Sequence, residues 1–431
     1  MKDFGKSDHP AVQAQLDRLA GLSLPEGRLG LDTIRCLLDR LGNPHRSLPP
    51  VFHVAGTNGK GSTCAFLRAM LEADGKRVHM TTSPHLVRYN ERIRLAGELI
   101  ADDPLAALLE EVFDAAEGLN PSFFEVTIAA AFLAFSRTPA DACVVEVGLG
   151  GRFDATNVLE PEALAACGIA ALGIDHERFL LAPEEGVPQV PLARIAFEKA
   201  GITKRATSLI TQSYPEEATL EIERAALAAG APLSMRGRDW HSSISETALH
   251  YADRYGELVL PLPQLPGPHQ GDNAALAIAM LRHQDRVNVA SGALAAGIRN
   301  AKWPARLQLL APGPLCSGRK VWLDGGHNPD AGKALAAHFA GQRVHLLLGM
   351  IEGKDPQAIL GPLAPSIASV TAVPISTHEY QPAASYGADI MQAASLEDAL
   401  NALPDDGLPV LIAGSLYLAG DVLRMNRERP D

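Results

Sequence analysis

A glycine-rich segment at residues 55–62, Ala-Gly-Thr-Asn-Gly-Lys-Gly-Ser, carries the groups that bind phosphate. It follows the apolar run 51–54 and precedes a helix-like stretch at 63–71. Glycines let backbone N–H groups close around an anion, and a helix N-terminus adds partial positive charge. The lysine can reach the outer phosphates, and the serine is placed for Mg²⁺. The segment predicts a nucleoside triphosphate site, whose binding residues would be Gly56, Thr57, Asn58, Gly59, Lys60, Gly61 and Ser62.

The spacing in this phosphate loop (56–62) differs from the general pattern. Two residues separate Gly56 from Gly59, where the usual pattern has four before its Gly-Lys pair, and Gly61 is inserted before Ser62. The alternative interpretation is a glycine- and asparagine-rich turn between a strand and a helix. The order of Lys60 and Ser62 favours the phosphate loop. The shorter spacing restricts the number of protein families to which the chain could belong.

Three further segments follow strand candidates and carry groups that could do chemistry, at 82–86, 145–154 and 174–177. In open α/β sheets, ligands collect at the carboxyl ends of the strands. Glu146 ends an apolar run and is costly to bury unless it is paired or bound to a metal. Mg²⁺ prefers oxygen ligands. Glu146 and a hydroxyl such as Ser62 or Ser83 therefore suit it, whereas His176 is a less typical ligand.

Each of these residues also has a structural interpretation. Glu146 could pair with Arg152 or another cation, Ser83 could form only a turn before Pro84, and His176 could be a loop histidine bonded to backbone. The glycine segment (148–151) allows close backbone approach or positive φ, but its spacing does not match a dinucleotide fingerprint.

A second candidate segment, 322–329, again lies between a strand and a helix. Asp324 could accept hydrogen bonds from ribose hydroxyls, and His327 could contact a nucleotide phosphate or base. The alternative is an Asx-type turn with a helix cap. A nucleotide held by two domains would need groups from both.

The composition favours a function that acts on small molecules. The chain has 431 residues, 47% of them hydrophobic and 20% charged, which suits two or three globular domains. A net charge of −12 argues against nucleic-acid binding. Five well-separated cysteines without a C-x-x-C pair argue against disulfides and structural zinc. The N-terminus has no signal-peptide core and no window is apolar enough to span a bilayer, so we expect a cytoplasmic protein without membrane contact.

Short β-rich runs alternate with helical stretches along the chain, which predicts a mostly parallel sheet flanked by helices. A helix breaker at 302–306 suggests a boundary between an ATP-binding domain (1–300) and a doubly wound, Rossmann-like α/β domain (301–431). The segment 245–263 looks like an antiparallel hairpin and predicts a small side sheet. A proline-rich loop (182–191) is expected at the surface. Predicted strands are 51–55, 77–80, 143–147, 165–172, 208–211, 321–323, 344–348, 370–373 and 410–412, and predicted helices include 126–135, 273–281, 290–298, 331–339 and 416–425.

Together these segments resemble the folylpolyglutamate synthases, specifically the bacterial type that also serves as dihydrofolate synthase, within the Mur-ligase superfamily. The phosphate loop is that family's short form, and 82–92 looks like its most diagnostic loop. The resemblance runs from about residue 30 to residue 420. The other matching stretches, in the family's order, are 124–127, 146–157, 195–202, 269–274, 303–306 and 324–329.

The resemblance implies roles for individual residues. Lys60 and the loop amides would hold the ATP phosphates, and Lys199 matches a lysine that is carbamylated in this superfamily. From the residues alone, Lys199 would be an ordinary exposed helix lysine. The implied catalytic residues are Lys60, Lys199 and His176, and the implied magnesium ligands are Ser62, Ser83, Glu146 and His176.

Four further residues match contacts to the nucleotide, and they are Asn273, Arg306, Asp324 and His327. The loop 83–92 would line the pterin site. Two departures from the family pattern stand out. Ala305 occupies a position where the family typically has glycine, and the proline-rich loop lengthens the spacing between His176 and Lys199. If that loop displaced Lys199, its modified role would be lost.

The activity implied is ATP-driven amide formation. L-Glutamate would be joined to dihydropteroate or to the glutamyl tail of a reduced folate through an acyl phosphate, with Mg²⁺ and by a monomer. The nearest rival is another ligase of the superfamily with a non-folate acceptor. A phosphate-loop GTPase switch would need an Asn-Lys-x-Asp segment, which the sequence lacks. A catalytically dead nucleotide-binding module is the third alternative.

Overall fold

A computed structural model describes residues 5–22, 30–316, 318–387 and 390–430. The contacts between Cα atoms divide the chain into two compact units. The N-terminal unit comprises the residues up to Pro84 together with Arg88–Gln264 and Gln270–Lys302. The C-terminal unit comprises His85–Val87, Leu265–His269 and the residues from Trp303 onward.

Strands alternate with helices over residues 10–300. The strands are β1 (Val51–Ala55), β2 (Val78–Thr81), β3 (Ile93–Leu95), β4 (Glu98–Leu99), β5 (Ala142–Glu146), β6 (Leu164–Ile169), β7 (Ser208–Thr211), β8 (Leu233–Met235), β9 (Trp240–Ile244), β10 (Leu249–Asp253) and β11 (Gly256–Leu260). The α-helices are α1 (Pro10–Ala20), α2 (Asp32–Arg40), α3 (Lys60–Ala73), α4 (Asp102–Ala115), α5 (Phe123–Arg137), α6 (Glu177–Leu180), α7 (Pro191–Ala200), α8 (Glu216–Ala229), α9 (His269–Arg282) and α10 (Ser291–Asn300).

The main sheet of the N-terminal unit is mostly parallel, as predicted. Within the described residues its order is β4-β3-β2-β5-β1-β6-β7-β8, and the pairs from β2 to β8 are parallel, while β3 and β4 add an antiparallel edge. Every residue of β1 and β5 is buried. Strands with both faces covered require continuous apolar runs, which explains why these two were readable from the sequence.

Three neighbouring strands deliver their carboxyl ends to one edge of this sheet. Val54 of β1 lies opposite Glu146 of β5, and Ala55 lies opposite Ile169 of β6. The chain therefore enters the phosphate loop, the glycine segment and the segment 170–176 side by side. This edge is where a parallel α/β sheet places its ligands.

A smaller antiparallel sheet has the order β11-β10-β9. The predicted hairpin at 245–263 corresponds to β10 and β11 and is confirmed. Strand β9 was not predicted, because its sequence Trp-His-Ser-Ser-Ile is mostly polar and only Trp240 is fully buried.

The C-terminal unit is a second, mostly parallel α/β sheet, which confirms the predicted doubly wound class. Its order is β12-β13-β17-β14-β15-β16, with only β12 antiparallel among the described strands. Its strands are β12 (Gln308–Leu309), β13 (Val321–Leu323), β14 (Val344–Leu348), β15 (Ile367–Ala372), β16 (Met391–Gln392) and β17 (Val410–Ala413), and its α-helices are α11 (Pro329–His338), α12 (Gln357–Leu363), α13 (Leu396–Asn401) and α14 (Leu416–Met425). In the part of the chain that the structure describes, we find no helix with the length and apolarity needed to cross a membrane.

Candidate active site

The phosphate loop is the turn between β1 and α3. The helix begins at Lys60, so Lys60, Gly61 and Ser62 form its first turn, and Thr63 N–H donates to Gly59 O at 2.8 Å. The N–H groups of a first helical turn have no acceptor within the helix. They therefore present donors and a positive helix end to an anion.

Hydrogen bonds fasten this loop to the segment that follows β6. Thr57 N–H and Asn58 N–H both donate to Ala171 O, at 2.8 and 3.2 Å. The Thr57 hydroxyl donates to Gly173 O at 2.9 Å. Because the same segment continues to His176, these bonds hold the approach to the histidine against the phosphate loop.

Helix α9 contributes Asn273 to the loop. Gly59 has φ +83°, and a Cβ added to it would lie 2.3 Å from Asn273 Oδ1. Asn273 is buried, and its Nδ2 donates to Gln270 Oε1 at 3.0 Å. Only glycine allows this approach at this backbone conformation. The structure thus brings the sequence-predicted residues Gly59 and Asn273 into contact.

Two lysines converge on one carbonyl oxygen of the loop. Lys60 Nζ donates to Gly56 O at 3.1 Å, and Lys199 Nζ donates to the same oxygen at 2.9 Å. Lys199 is only 3% exposed, so the expectation of an ordinary exposed helix lysine is wrong. Burial first, and the nearby Lys60 charge second, lower the pKa of Lys199 to about 7 against the raising effect of neighbouring carboxylates. An amine in this environment is partly neutral at neutral pH.

The proline-rich loop does not carry Lys199 away from the site. It leads directly into α7, which begins at Pro191 and places Lys199 in its last turn. The contact between Lys199 Nζ and Gly56 O is made with the longer spacing in place. The extra residues are therefore accommodated outside this contact.

Glu146 ends β5 at the same edge of the sheet. Its carboxylate is buried, and Oε2 accepts a hydrogen bond from Ser83 N–H at 3.1 Å. The suggested ion pair between Glu146 and Arg152 is not formed. Arg152 instead pairs with Glu198 and Glu184, both at 2.7 Å.

Glu146 and Ser62 carry oxygen groups of the kind that Mg²⁺ binds, at the end of β5 and in the first turn of α3. Ser62 is buried in the first turn of α3. Burial foremost, and then the charge of Glu146, raise the pKa of the Cys64 thiol, which lies in α3 two residues after Ser62. Carboxylate and hydroxyl oxygens are ligands that Mg²⁺ accepts while keeping several waters. Among the described residues, no group of three or more His, Cys, Asp or Glu side chains could by itself hold a metal.

His176 has a left-handed backbone conformation, with φ +52°, just before α6. Its carbonyl accepts from Phe179 N–H at 2.9 Å and Leu180 N–H at 3.0 Å, and its own N–H donates to Asp175 Oδ1 at 2.7 Å. Histidine is among the residues that tolerate this conformation better than most. The backbone around the predicted ligand is thus held by short-range hydrogen bonds.

Asp154 is a positioning residue that sequence reasoning did not assign. Its carboxylate is buried and accepts from Leu149 N–H at 2.8 Å and Thr156 N–H at 3.0 Å. Thr156 Oγ1 lies 2.8 Å from Nε2 of His53 in β1. Burial raises the pKa of Asp154 and lowers the pKa of His53 to about 3, so this histidine is neutral. An aspartate two residues before a threonine is a signal for such a local turn.

The glycine segment packs directly on α7. A Cβ on Gly151 would lie 2.7 Å from Glu198 O and 2.9 Å from Lys199 O. Arg152 N–H donates to Glu198 O at 2.7 Å. The close approach expected for these glycines therefore serves the helix that carries Lys199.

The predicted residues of the C-terminal unit surround the turn between β13 and α11. Asp324 Oδ2 accepts from Leu307 N–H at 2.8 Å, and Oδ1 accepts from Gly326 N–H at 2.7 Å. Arg306 lies beside the same turn, because a Cβ on Gly325 would be 3.0 Å from its Nη1. His327 Nδ1 is 3.2 Å from Gly325 O.

The turn between β13 and α11 has the Asx-type geometry and the helix cap that the alternative interpretation of this segment predicted. Asp324 bonds to the N–H two residues on, as in an Asx turn, and Asn328 Oδ1 caps α11 through Ala331 N–H at 3.0 Å. Ala305, which stands where the family typically has glycine, is buried with φ +54°. An L-residue in this region costs about 1–2 kcal/mol relative to right-handed backbone. Ala305 therefore adopts a left-handed geometry at a conformational cost.

Comparisons with known proteins point to one family. The chain is 33% identical over 425 residues to the dihydrofolate synthase/folylpolyglutamate synthase of Bacillus subtilis, covering 91% of this chain and 94% of the relative. The solved structure of Escherichia coli FolC in complex with DHPP and ADP superposes with a TM-score of 0.84 at 30% identity, covering 97% of both chains. A bifunctional folylpolyglutamate synthase/dihydrofolate synthase with Mn, AMPPNP and L-glutamate bound superposes with a TM-score of 0.83 at 27% identity, covering 98% of this chain and 99% of the other. No family model matches the chain.

These relatives match almost the entire length, and their names agree with the resemblance carried by the ordered motifs. The phosphate loop, the glycine segment and the turn at Asp324 all lie within the matched chain. The chain belongs to the dihydrofolate synthase/folylpolyglutamate synthase family.

Proposed function

We propose that this chain is an ATP-dependent ligase that joins L-glutamate to dihydropteroate, to the glutamyl tail of a reduced folate, or to both. The observation that carries the proposal is the convergence of Lys60 and Lys199 on Gly56 O beside the buried Glu146. The ammonium of Lys60 and a helix N-terminus at one loop favour a polyphosphate. A carboxylate at the adjacent strand end favours a divalent cation with it.

The reaction has two steps, because a carboxylate is a poor electrophile. An oxygen of the acceptor's carboxylate attacks the γ-phosphorus of ATP, the bond to the β,γ-bridging oxygen breaks, and ADP leaves. The neutral α-amino group of L-glutamate then attacks the carbonyl carbon of the acyl phosphate. The amine loses a proton, the bond from carbon to the phosphate oxygen breaks, and inorganic phosphate leaves.

Lys60 and the first-turn amides of α3 carry the electrostatic part of the first step. Lys60 Nζ is already at the loop and moves only from Gly56 O to a phosphate oxygen. Fixed donors aimed at developing negative charge are a large contribution to phosphoryl transfer. Asn273, held against Gly59, supplies a further polar contact to the nucleotide.

Ser62, Ser83, Glu146 and His176 are the residues that would hold Mg²⁺. Bound there, the ion would neutralise charge on the transferring phosphate. Lys199 supports this site as a carbamate in the proposed enzyme. Its amine adds to CO₂ only when neutral, and burial lowers the pKa of Lys199 to about 7, which makes that form available.

In the C-terminal unit, Arg306, Asp324 and His327 are proposed nucleotide contacts. Arg306 would offset phosphate charge, and His327 would contact a phosphate or the base. Both oxygens of Asp324 already order the backbone of this turn. A ribose hydroxyl would share those oxygens, since each carboxylate oxygen has two lone pairs.

The proposed setting is a monomer in the cytoplasm that acts on small molecules alone. Its five cysteines are all free thiols, which is usual in a reducing compartment. The net charge of −12 is unfavourable for binding nucleic acid.

A product mass spectrum tests the proposal. Purified protein is incubated with ATP, Mg²⁺ and L-glutamate in two separate reactions. One reaction contains dihydropteroate as the acceptor, and the other contains a reduced folate. We expect the acceptor to gain the mass of one glutamyl residue in at least one of the two reactions. A gain with a single acceptor would identify a monofunctional enzyme.

Lys60→Ala is the matched control for this experiment. The change removes the phosphate-binding ammonium from an otherwise intact helix, and we expect no product above background. Near-normal ADP release by this variant, or no product with either acceptor in the wild type, would refute the proposed function.

A further inference from the structure

Two arginines and two glutamates form a cluster of ion pairs beside α7. Arg152 Nη2 lies 2.7 Å from both Glu184 and Glu198, and Arg194 Nη2 lies 2.8 Å from Glu184 and 3.1 Å from Glu198. Each arginine therefore contacts both glutamates. Arg152 also presents two nitrogens to each carboxylate, which is the strongest geometry for such pairs.

The cluster is largely removed from solvent. The side chains of Arg194 and Glu198 are 6% and 7% exposed, and Glu184 is 16% exposed. Taking charges out of water is costly, and removing one partner of a buried pair leaves an uncompensated charge. Each arginine here contacts both glutamates, so the charges of Arg152 and Arg194 are compensated.

The cluster joins the segments that surround Lys199. Glu198 precedes the lysine in α7, Arg152 follows the glycine segment, and Arg194 Nε donates to Leu180 O at the end of α6 at 3.1 Å. Glu184 comes from the proline-rich loop, whose backbone is braced by Gln189 Nε2 donating to Val187 O at 2.7 Å. Glu184 thus links Arg194 of α7 to Arg152, which directly follows the glycine segment.

We propose that Glu184 is a positioning residue for Lys199. By balancing the charge of the second arginine, Glu184 fixes the last turn of α7 against the glycine segment. Lys199 lies in that turn, and from there its Nζ reaches Gly56 O. This inference rests on the proposed function for the role of Lys199, but the geometry that it invokes is independent of the substrate. The proline-rich loop is accordingly part of the active-site support and not a passive surface insertion.

Charge balance explains why the loop residue is needed. Without Glu184, the guanidinium groups of Arg152 and Arg194 would share the single carboxylate of Glu198. Two like charges on one carboxylate repel each other in a region of low dielectric. Glu198 would be pulled between them, and the neighbouring Lys199 would lose its fixed direction. Removing Arg194 together with Glu184 would restore the balance through the Arg152–Glu198 pair.

The test uses full-length variants and two readouts. The variants are Glu184→Gln, the matched control Glu185→Gln, and the double variant Glu184→Gln/Arg194→Met. Glu185 is exposed in the same loop, and the structure gives it no ion pair among the described residues. The first readout is kcat and KM for ATP and glutamate, measured well below each variant's melting temperature. The second is the ¹³C carbamate signal in ¹³C-bicarbonate, with Lys199→Met as the background reference.

We expect Glu184→Gln to lose about tenfold in kcat, because small misplacements of a catalytic group have effects of this size or larger. Its carbamate signal should fall in parallel, with KM for glutamate little changed. Glu185→Gln should match the wild type in both readouts. The double variant should recover most of the loss, since it restores neutrality.

Equal kcat and equal carbamate signals in Glu184→Gln and Glu185→Gln would overturn the inference. So would a double variant that is no better than the single one, because charge balance would then not be the cause. If the wild type ligates no glutamate, the proposed function fails, and the carbamate signals of the same variants still decide the positioning role.

Discussion

Gly59→Ala separates the two reasons for a glycine in the phosphate loop. Gly59 has φ +83°, and an added Cβ would be 2.3 Å from Asn273 Oδ1. Gly75 provides a matched control, because it has φ +78° and nothing lies within 4 Å of its Cβ position. Both substitutions place an alanine in left-handed backbone, and only one of them displaces Asn273.

The expected magnitudes follow from this difference. Both variants should lose about 1–2 kcal/mol of stability from the left-handed conformation. Asn273 is buried and bonded to Gln270, so it cannot yield without breaking that hydrogen bond. If Asn273 contacts the nucleotide, losing a hydrogen bond to a charged group costs about 1.5–3 kcal/mol. That corresponds to roughly a 10- to 150-fold rise in KM for ATP.

The assay is coupled ADP release at varied ATP, together with urea unfolding of both variants. We expect Gly59→Ala to lose more stability than Gly75→Ala, because displacing Asn273 also breaks its hydrogen bond to Gln270, and we expect KM for ATP to rise in Gly59→Ala alone. Equal KM values in the two variants would refute the reasoning, because the contact between Gly59 and Asn273 would then have no role in nucleotide binding.

Three other changes test the site. Burial lowers the pKa of Lys199 from 10.5 to about 7, so the unfolded chain binds more protons than the folded chain between these pH values, and stability should rise with pH across that window. Urea unfolding in CO₂-free buffers should show this rise in the wild type and a smaller rise in Lys199→Met. Parallel stability profiles of the two proteins would contradict this prediction. Glu146→Gln keeps the shape but removes the charge, so we expect activity to be lost with its Mg²⁺ dependence, and a magnesium titration that matches the wild type would exclude Glu146 as a ligand. Gly151→Ala would place a Cβ 2.7 Å from the backbone oxygen of Glu198, so we expect it to lower kcat several-fold and to reduce stability. The control Gly292→Ala lies in a helix with open space around it and should gain about 0.5–1 kcal/mol of stability. A stable and active Gly151→Ala would show that α7 tolerates displacement.

Local sequence patterns determined much of this fold. The strands at 51–55, 208–211, 321–323 and 344–348 were predicted with the bounds that the structure has, because each is a short apolar run between turn residues. The phosphate loop was readable for the same reason. By contrast, β12 and β16 have two residues each and exist only through their neighbours in the sheet, so no local pattern marks them.

Those parts of the candidate site that depend on the types of neighbouring residues could be predicted from the sequence. Those that depend on packing between residues distant in sequence could not. Lys199 lies in an amphipathic helix, and nothing adjacent in sequence announces that its amine is buried beside Gly56. The sequence suggested Glu146 as a carboxylate partner of Arg152, and its pairing with Glu184 and Glu198 required the three-dimensional arrangement. The position of Asn273 against Gly59 depends equally on a helix more than two hundred residues away.

The four-charge cluster also restricts the order in which its members can be acquired or discarded. An arginine at 194 placed first would enter an almost dry environment with only the carboxylate of Glu198 to share. A glutamate at 184 placed first could turn toward solvent until a second cation arrived. Mutational paths that remove Glu184 are therefore less costly in chains that have already replaced Arg194.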